Sequence, residues 1–385
     1  MREVLFVAGE VSGDQHAAGV ARELRALDPS LRLAGVGGDR MREAGVELIE
    51  HVKSLAVMGF VEPLRKLPRF YRLRRALAHR IAGGEVALVI LVDYAGFNLK
   101  VASLAHAAGV PVLYFITPQV WASRAGRLAE LARTVTKAAV ILPFEEALLR
   151  AHGIDATFVG HPMLDRVSAL PDRQAARAAI GLGEDDRVLA LFPGSRGQEI
   201  ARHLDPFVAA SRELQRRDPA LKVIVSVAPH VSIPIERCPY PLVPSASFTV
   251  LRAADAVLCK SGTTTLEAAV ALCPLVIAYR TDALSFAIAK RLVTVPFIGM
   301  VNLLAGREVA PEFVQDALQP IALANALEPL LDGGSEARAV MLRELATVRD
   351  SLGDAGSARR VAEIALGLLA NAGGTRAPAA SGVSA

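Results

Sequence analysis

The chain has 385 residues, 52% of them hydrophobic and 5% aromatic, and carries 43 Lys and Arg against 39 Asp and Glu for a net charge of +4. That length exceeds one ordinary core and predicts two domains, while the small positive balance does not by itself indicate an anionic partner. The three cysteines, Cys238, Cys259 and Cys273, fit no zinc spacing and, being odd in number, no disulfide framework, which predicts a reducing cytosol. The apolar run that starts at residue 4 is followed by Glu10 and Asp14, too soon for a signal peptide. No run of about 18 apolar residues predicts a membrane-spanning helix, which leaves binding to a membrane surface open.

Along the chain, short apolar runs alternate with longer helical patterns. Residues 3–9 (EVLFVAG), 31–38 (LRLAGVGG), 87–94 (ALVILVDY), 110–116 (VPVLYFI) and 138–144 (AAVILPF) read as buried strands, with a short one at 156–160 (ATFVG). Ala-, Arg- and Leu-rich segments between them, such as 15–27 and 97–108, carry helical spacing. Gly160 and two prolines interrupt the pattern within 160–173, so a first domain over 1–165 gives way to a second over 166–333. There the scheme repeats, with strands expected at 187–194, 221–228, 240–245, 256–262 and 274–280. Residues 334–371 read as C-terminal helices, and 372–385 have the small, polar composition of a disordered tail. The expectation is an α/β protein of two Rossmann-like domains facing a cleft, with ligands held beyond the carboxyl ends of the strands.

The loops that follow the strands are therefore the candidate sites. After the first strand, Glu10, Ser12, Gly13 and Asp14 fill a turn before a helix, and Ser12 or Asp14 suits either an N-cap or a ligand contact. Residues 62–80 (EPLRKLPRFYRLRRALAHR) bear Arg65, Lys66, Arg69, Arg72, Arg74, Arg75 and Arg80, with no acid after Glu62 and with apolar residues interleaved. Such a segment suits an anionic membrane face or an ordinary solvated helix, and no recognition motif points to nucleic acid. Asp93 lies just beyond a very apolar strand, where a carboxylate raised toward neutrality by burial acts as a general base, or where it caps a loop. His161, at the domain join, reads as structural.

In the second half, 191–200 (LFPGSRGQEI) runs from a strand through Pro193-Gly194 into Ser195, Arg196 and a helix, a way to hold a phosphate on free N–H groups and a guanidinium fork. Residues 256–270 (AVLCKSGTTTLEAAV) place Ser261, Gly262, Thr263 and Thr264 at a second helix start, with Glu267 about one turn later, able to accept two bonds from a ribose. Each loop alone is equally well a helix cap followed by a solvated acid; two in one domain favour a nucleotide. Residues 285–304 (SFAIAKRLVTVPFIGMVNLL) would line an acyl groove or belong to the core. GVGGDRM has Arg40 where a dinucleotide fingerprint needs its third glycine. No P-loop, HExxH, GxSxG or Asp-x-Asp occurs, which disfavours a dehydrogenase and a metal-clamped nucleotide-sugar site.

Taken in order, VAGEVSGD, GVGGDRM, LAVMGFVEPL, DYAGFNL, TPQVWAS, LPFEEALL, FVGHPM, LFPGSRGQEI, KSGTTTLEA, AKRLV and NLLAGREVAPEFVQ resemble the lipid-A-disaccharide synthase family over nearly the whole chain. The specificity of the match lies in the order and spacing of these motifs. The resemblance implies an inverting glycosyltransferase of the two-Rossmann, GT-B class that needs no cofactor and no metal. It would join UDP-2,3-diacylglucosamine to the 6-hydroxyl of 2,3-diacylglucosamine 1-phosphate, giving a β-1,6-linked disaccharide 1-phosphate and UDP. That is a step in lipopolysaccharide anchor synthesis in Gram-negative bacteria.

By the same resemblance Asp93 is the base. Arg196 meets the diphosphate, and Ser261, Gly262, Thr263 and Glu267 form the UDP site, with Asn302 as a further donor contact and Ser195 counted among the donor-binding residues. Glu10, Ser12, Gly13 and Asp14 line the acceptor side. Acylated substrates imply work at the anionic inner face of the cytoplasmic membrane, with Arg65, Arg69, Arg72 and Arg75 on the docking surface. Nucleic acid is not a partner, and a homodimer is left open. Two positions depart from the family pattern: Gly96 stands where a second acid is usual, and Ser123 where a second Trp is common. The alternatives are a two-Rossmann UDP-sugar epimerase or other sugar transferase, and a UDP-sugar binding protein without turnover.

Overall fold

The apolar runs of the first half form a parallel sheet because their side chains can be covered on both faces. The computed structural model describes residues 2–55, 62–119, 126–229, 231–244, 247–283, 285–287 and 295–374, and the statements below concern these. They fall into two compact units, one of Met1–Pro162 with Asp354–Ala385 and one of Met163–Gly353.

In the first unit seven strands run in the order β3-β2-β1-β4-β5-β6-β7. They are β1 (Glu3–Ala8), β2 (Arg32–Gly37), β3 (Glu47–His51), β4 (Val86–Val92), β5 (Val112–Phe115), β6 (Lys137–Val140) and β7 (Ala156–Phe158). Every pairing is parallel, and Ala8 stands opposite Val92 in the β1–β4 register. Alternate residues serve opposite faces. Leu5, Val7, Val89, Leu91 and Tyr114 join one core, and Val4, Phe6, Leu88, Ile90 and Val92 join the other.

The second unit has β8 (Val188–Phe192), β9 (Lys222–Val227), β10 (Leu242–Pro244), β11 (Ala256–Lys260), β12 (Leu275–Tyr279) and β13 (Glu312–Val314), in the order β10-β9-β8-β11-β12-β13. Its pairings are parallel too, with Cys259 opposite Phe192. The three cysteines are buried and free.

Two strands escape the sequence pattern. β3 is a half-buried edge strand whose residues ELIEH are mostly polar rather than a continuous apolar run, and β13 has only three residues, EFV. The helices expected as one segment over 334–371 divide between the units. Glu336–Ser351 belongs to the second. The chain then turns through Gly353 and Gly356, at φ 81° and 96°, and Ser357–Gly374 returns to the first. Val361, Ala362, Ala365 and Leu369 complete one of its cores, and Arg2 donates to the Leu369 carbonyl at 3.1 Å. No helix among the described residues is long and apolar enough to cross a membrane.

Candidate functional site

In an open parallel sheet, ligands gather at the carboxyl end where strand order reverses. Each sheet has one such point, between β1 and β4 in the first unit and between β8 and β11 in the second. The first is flanked by Gly9, Glu10 and Asp93, and the second by the loops that hold Arg196 and Gly262.

In the first unit the chain leaves β4 through two consecutive residues in the left-handed region, Asp93 at φ 50° and Tyr94 at φ 51°. Neither is glycine, so the turn carries strain that its surroundings must hold. The Asp93 carbonyl accepts from Asn98 Nδ2 at 2.7 Å and from the Tyr114 hydroxyl at 2.8 Å. Asn98 Nδ2 also reaches the carbonyls of Val7 and Val92, which knits the turn to both strands of the reversal point. The Asp93 carboxyl is left half-buried. Burial raises it above the ordinary aspartate range, partly offset by the Tyr94 N–H. The Tyr94 ring covers Gly9, where a Cβ would come 2.1 Å from Cδ1. Burial raises the Tyr94 phenol, and the charge of Glu10 adds to the effect.

The expected acceptor-side residues divide. The helix begins at Val11 after Glu10, so Ser12 and Asp14 lie inside its first turn and neither caps it. Ser12 is exposed, and Gly13 is buried against Ala8 and the Val92 carbonyl. Asp14, 4% exposed, is corrected from a cleft residue to an anchor. Its carboxylate accepts the N–H groups of Gly38, Arg40 and Met41 at 2.6–3.1 Å, so it caps the helix Asp39–Glu43. Glu10 therefore remains beside Asp93 and Tyr94 at the reversal point. Gly96 is exposed with open space beside it, and Ser123 lies outside the described residues.

The second reversal point opens into a cavity of about 500 Å³. Gly194, Ser195 and Arg196 wall it after β8, Ser226 to Pro229 at and beyond the end of β9, and Lys260, Gly262, Thr263 and Thr264 at and beyond the end of β11. Ser247 and Glu267 line it as well. Burial raises the Glu267 carboxyl, opposed by the Arg166 charge and by a 3.4 Å bond from the Ser247 hydroxyl. The cavity thus offers cations and a helix start to an anion, and at Glu267 a poorly solvated carboxylate that accepts a hydroxyl.

Three expectations change here. The Ser195 N–H does not point at an open anion site: it donates to Glu199 Oε2 at 2.9 Å. The Ser261 hydroxyl is nearly buried and donates to the Ile298 carbonyl at 2.6 Å, so it braces the loop. Asn302 is fully buried, and its amide is spent inside the unit. Its Nδ2 donates to the Ala310 carbonyl and Glu312, and its Oδ1 accepts from the N–H groups of Val309 and Ala310, which uses both ends of the amide.

Two charged pocket residues were not singled out in the sequence. Lys260, at the end of β11, places Nζ 3.1 Å from Glu199 Oε1 and 5.9 Å from the centre of the Tyr279 ring. Glu199 lies below the usual carboxylate range: burial works against this, but the Ser195 N–H and the Lys260 charge outweigh it. The only sequence signals were a lysine directly before SGTT and an acid in the first turn after GSR, both ordinary at such places.

Of the basic segment, Glu62–Ala82 is helical. Leu73, Leu77 and Ile81 face the core, while Arg69, Arg72 and Arg75 are exposed. Arg69 pairs with Glu50 at 2.7 Å, and Arg80 makes two 2.7 Å bonds to buried Glu3. Phe70, Tyr71, Arg72, Arg74, Phe97 and Lys100 border a depression of about 540 Å³. The Arg65 side chain and residues 288–294 of the 285–304 stretch lie outside the described residues. Among the described residues no three His, Cys, Asp or Glu converge as metal ligands.

A family model described as "LpxB: Lipid-A-disaccharide synthetase" matches residues 4–361. The chain is 39% identical over 380 residues to the lipid-A-disaccharide synthase of Anaeromyxobacter sp. (strain K), covering 95% of this chain and 97% of that one. It is 38% identical over 379 residues to that of Myxococcus xanthus (strain DK1622), covering 95% and 97%. In fold it is similar to the UDP-GlcNAc 2-epimerase from Neisseria meningitidis bound to UDP-GlcNAc, with a TM-score of 0.64, 11% identity and coverage of 95% and 100%. It is similar also to the calicheamicin glycosyltransferase CalG4, with a TM-score of 0.60, 18% identity and coverage of 98% and 100%. These likenesses show the fold, two Rossmann-like domains of the GT-B type.

Proposed function

We infer the reaction from one premise: the chain belongs to the lipid-A-disaccharide synthase family and is a glycosyltransferase. It transfers 2,3-diacylglucosamine from UDP-2,3-diacylglucosamine to the 6-hydroxyl of 2,3-diacylglucosamine 1-phosphate and releases UDP. The observation that carries this reading is the second-unit cavity, lined by Arg196 and the helix start Gly262–Thr264 together with the half-buried Glu267. A diphosphate suits the guanidinium and the helix start, and a ribose diol suits the carboxylate.

Asp93 takes the proton of the acceptor hydroxyl as the oxygen attacks the anomeric carbon. A carboxyl raised by burial is a stronger base than a solvated one. The C–O bond to the diphosphate breaks on the opposite face, so the centre inverts. Arg196 and the backbone N–H groups at the Thr263 helix start stabilise the charge gathering on the departing UDP.

The exposed Arg72 and Arg75, with the apolar depression beside them, form the surface that meets an anionic membrane carrying the acylated sugars. Incubation of both substrates in detergent tests the reaction. Disaccharide 1-phosphate and UDP in equal amounts support it; UDP-sugar converted at its 2-position, or bound without turnover, favours the epimerase or binding-protein reading.

A further inference from the structure

The donor cavity holds a second cation. Arg196 stands at the rim with its side chain 83% exposed, so its attraction for an anion is heavily screened by water. The Lys260 side chain is only 19% exposed. Its ammonium lies beside Gly262, where an added Cβ would come 3.6 Å from Nζ, next to the open N-terminus of the helix Thr263–Ala271. At present the ammonium faces the Glu199 carboxylate, which also accepts the Ser195 N–H at 2.9 Å and lies 3.6 Å from Arg196 Nη1. A backbone N–H, an ammonium and a guanidinium converging on one carboxylate are the groups that recognise a phosphate. Gly194, at φ 133°, makes the arrangement possible, since a Cβ there would fall 2.5 Å from Glu199 Cβ.

We propose that Lys260 binds the diphosphate of the nucleotide donor, and that Glu199 is the internal carboxylate holding its ammonium in place until the phosphate arrives. The inference rests on reading this cavity as a UDP-sugar site. Lys260 can reach a phosphate and Glu199 at once, because an ammonium has three donors. The less solvated cation then supplies more of the diphosphate's binding than Arg196 does.

An ion pair that only fastened two loops would affect folding but not discriminate between ligands. The test therefore measures full-length protein against UDP by calorimetry and against uridine by ligand-observed NMR. Lys260→Met is expected to weaken UDP at least tenfold, about 1.4 kcal/mol, and to leave uridine within twofold. Lys260→Arg, which keeps the charge, is expected to recover most of the loss. Should Lys260→Met not fold, Lys260→Gln, which keeps a donor for Glu199, carries the same expectation. A variant without the charge that keeps the wild-type ratio of UDP to uridine affinity overturns the proposal while the donor-site reading stands. A wild type that binds no UDP removes that reading and the proposal with it.

Discussion

The carbonyl oxygen of Asp93 is held by the hydroxyl of Tyr114 at 2.8 Å, from inside the sheet. Tyr114 is fully buried on β5, and with Asn98 it fixes two left-handed residues in sequence. Each such residue costs of order 1–3 kcal/mol, so the turn needs this bracing to present its carboxylate. Tyr114→Phe removes one donor and is expected to lower stability by about 1 kcal/mol. It should also lower kcat while the donor KM stays unchanged. Thermal melts and initial rates check both.

Gly9 is expected not to accept a side chain. In Gly9→Ala the new Cβ would meet the Tyr94 ring at 2.1 Å and push it from its place beside Asp93. A displacement near 1 Å at a reacting group costs roughly 10²-fold in rate. The turnover of Gly9→Ala should fall on that scale while UDP binding, which the proposed reading assigns to the second-unit cavity, stays at the wild-type level.

The raised Asp93 carboxyl fixes the sign of two pH effects. Because its folded value lies above the unfolded one of about 3.9, its contribution to stability is complete below the unfolded value and is lost as pH rises through the folded value. Asp93→Asn is therefore expected to melt no lower than wild type at pH 7–8. In catalysis the carboxylate is the active form, so kcat/KM should rise with pH along an acidic limb whose midpoint lies above the ordinary aspartate value. A rate profile for the wild type and melts for both proteins check this.

Asn302 is expected to matter for folding and not for nucleotide contact. Its amide bonds to Ala310, Glu312 and Val309 are all interior, and leaving such partners unsatisfied costs about 1–3 kcal/mol. Asn302→Ala should unfold at lower denaturant. Its folded fraction, measured by calorimetry well below the transition, should keep the UDP affinity of the wild type.

The basic helix tests the membrane reading. Arg69 is already paired with Glu50, so Arg72 and Arg75 carry the prediction. Changing both to Glu reverses two charges near a surface where each cation is worth about 1 kcal/mol. Sedimentation with vesicles containing anionic lipid should show at least tenfold weaker binding, with no change on neutral vesicles.

Much of the fold was legible because buried parallel strands are continuous apolar runs. EVLFVA, VALVILV and VLALF announce themselves, whereas ELIEH at an edge and the three-residue EFV do not. Asp93 and Glu267 stood out as candidates because an acid just past an apolar strand, or about one turn after SGTT, lies at the carboxyl edge where ligands gather, although each place also suits a cap or a solvated acid. Asp14, Ser261 and Asn302 misled because their type and place also suit a ligand. Only the three-dimensional partners, the N–H groups of 38–41, the Ile298 carbonyl and the 309–312 backbone, show that each is spent on the chain itself. Lys260 and Glu199 were silent because their meaning lies in a pairing across 61 positions of sequence.

The most direct measurement of the central claim compares wild type with Asp93→Ala for disaccharide formation from both acylated substrates, alongside UDP binding by calorimetry. A loss of about 10²–10⁴ in kcat, the usual contribution of a general base, with unchanged UDP affinity is the predicted result. An Asp93→Ala protein that turns over at the wild-type rate contradicts the account and places the base elsewhere.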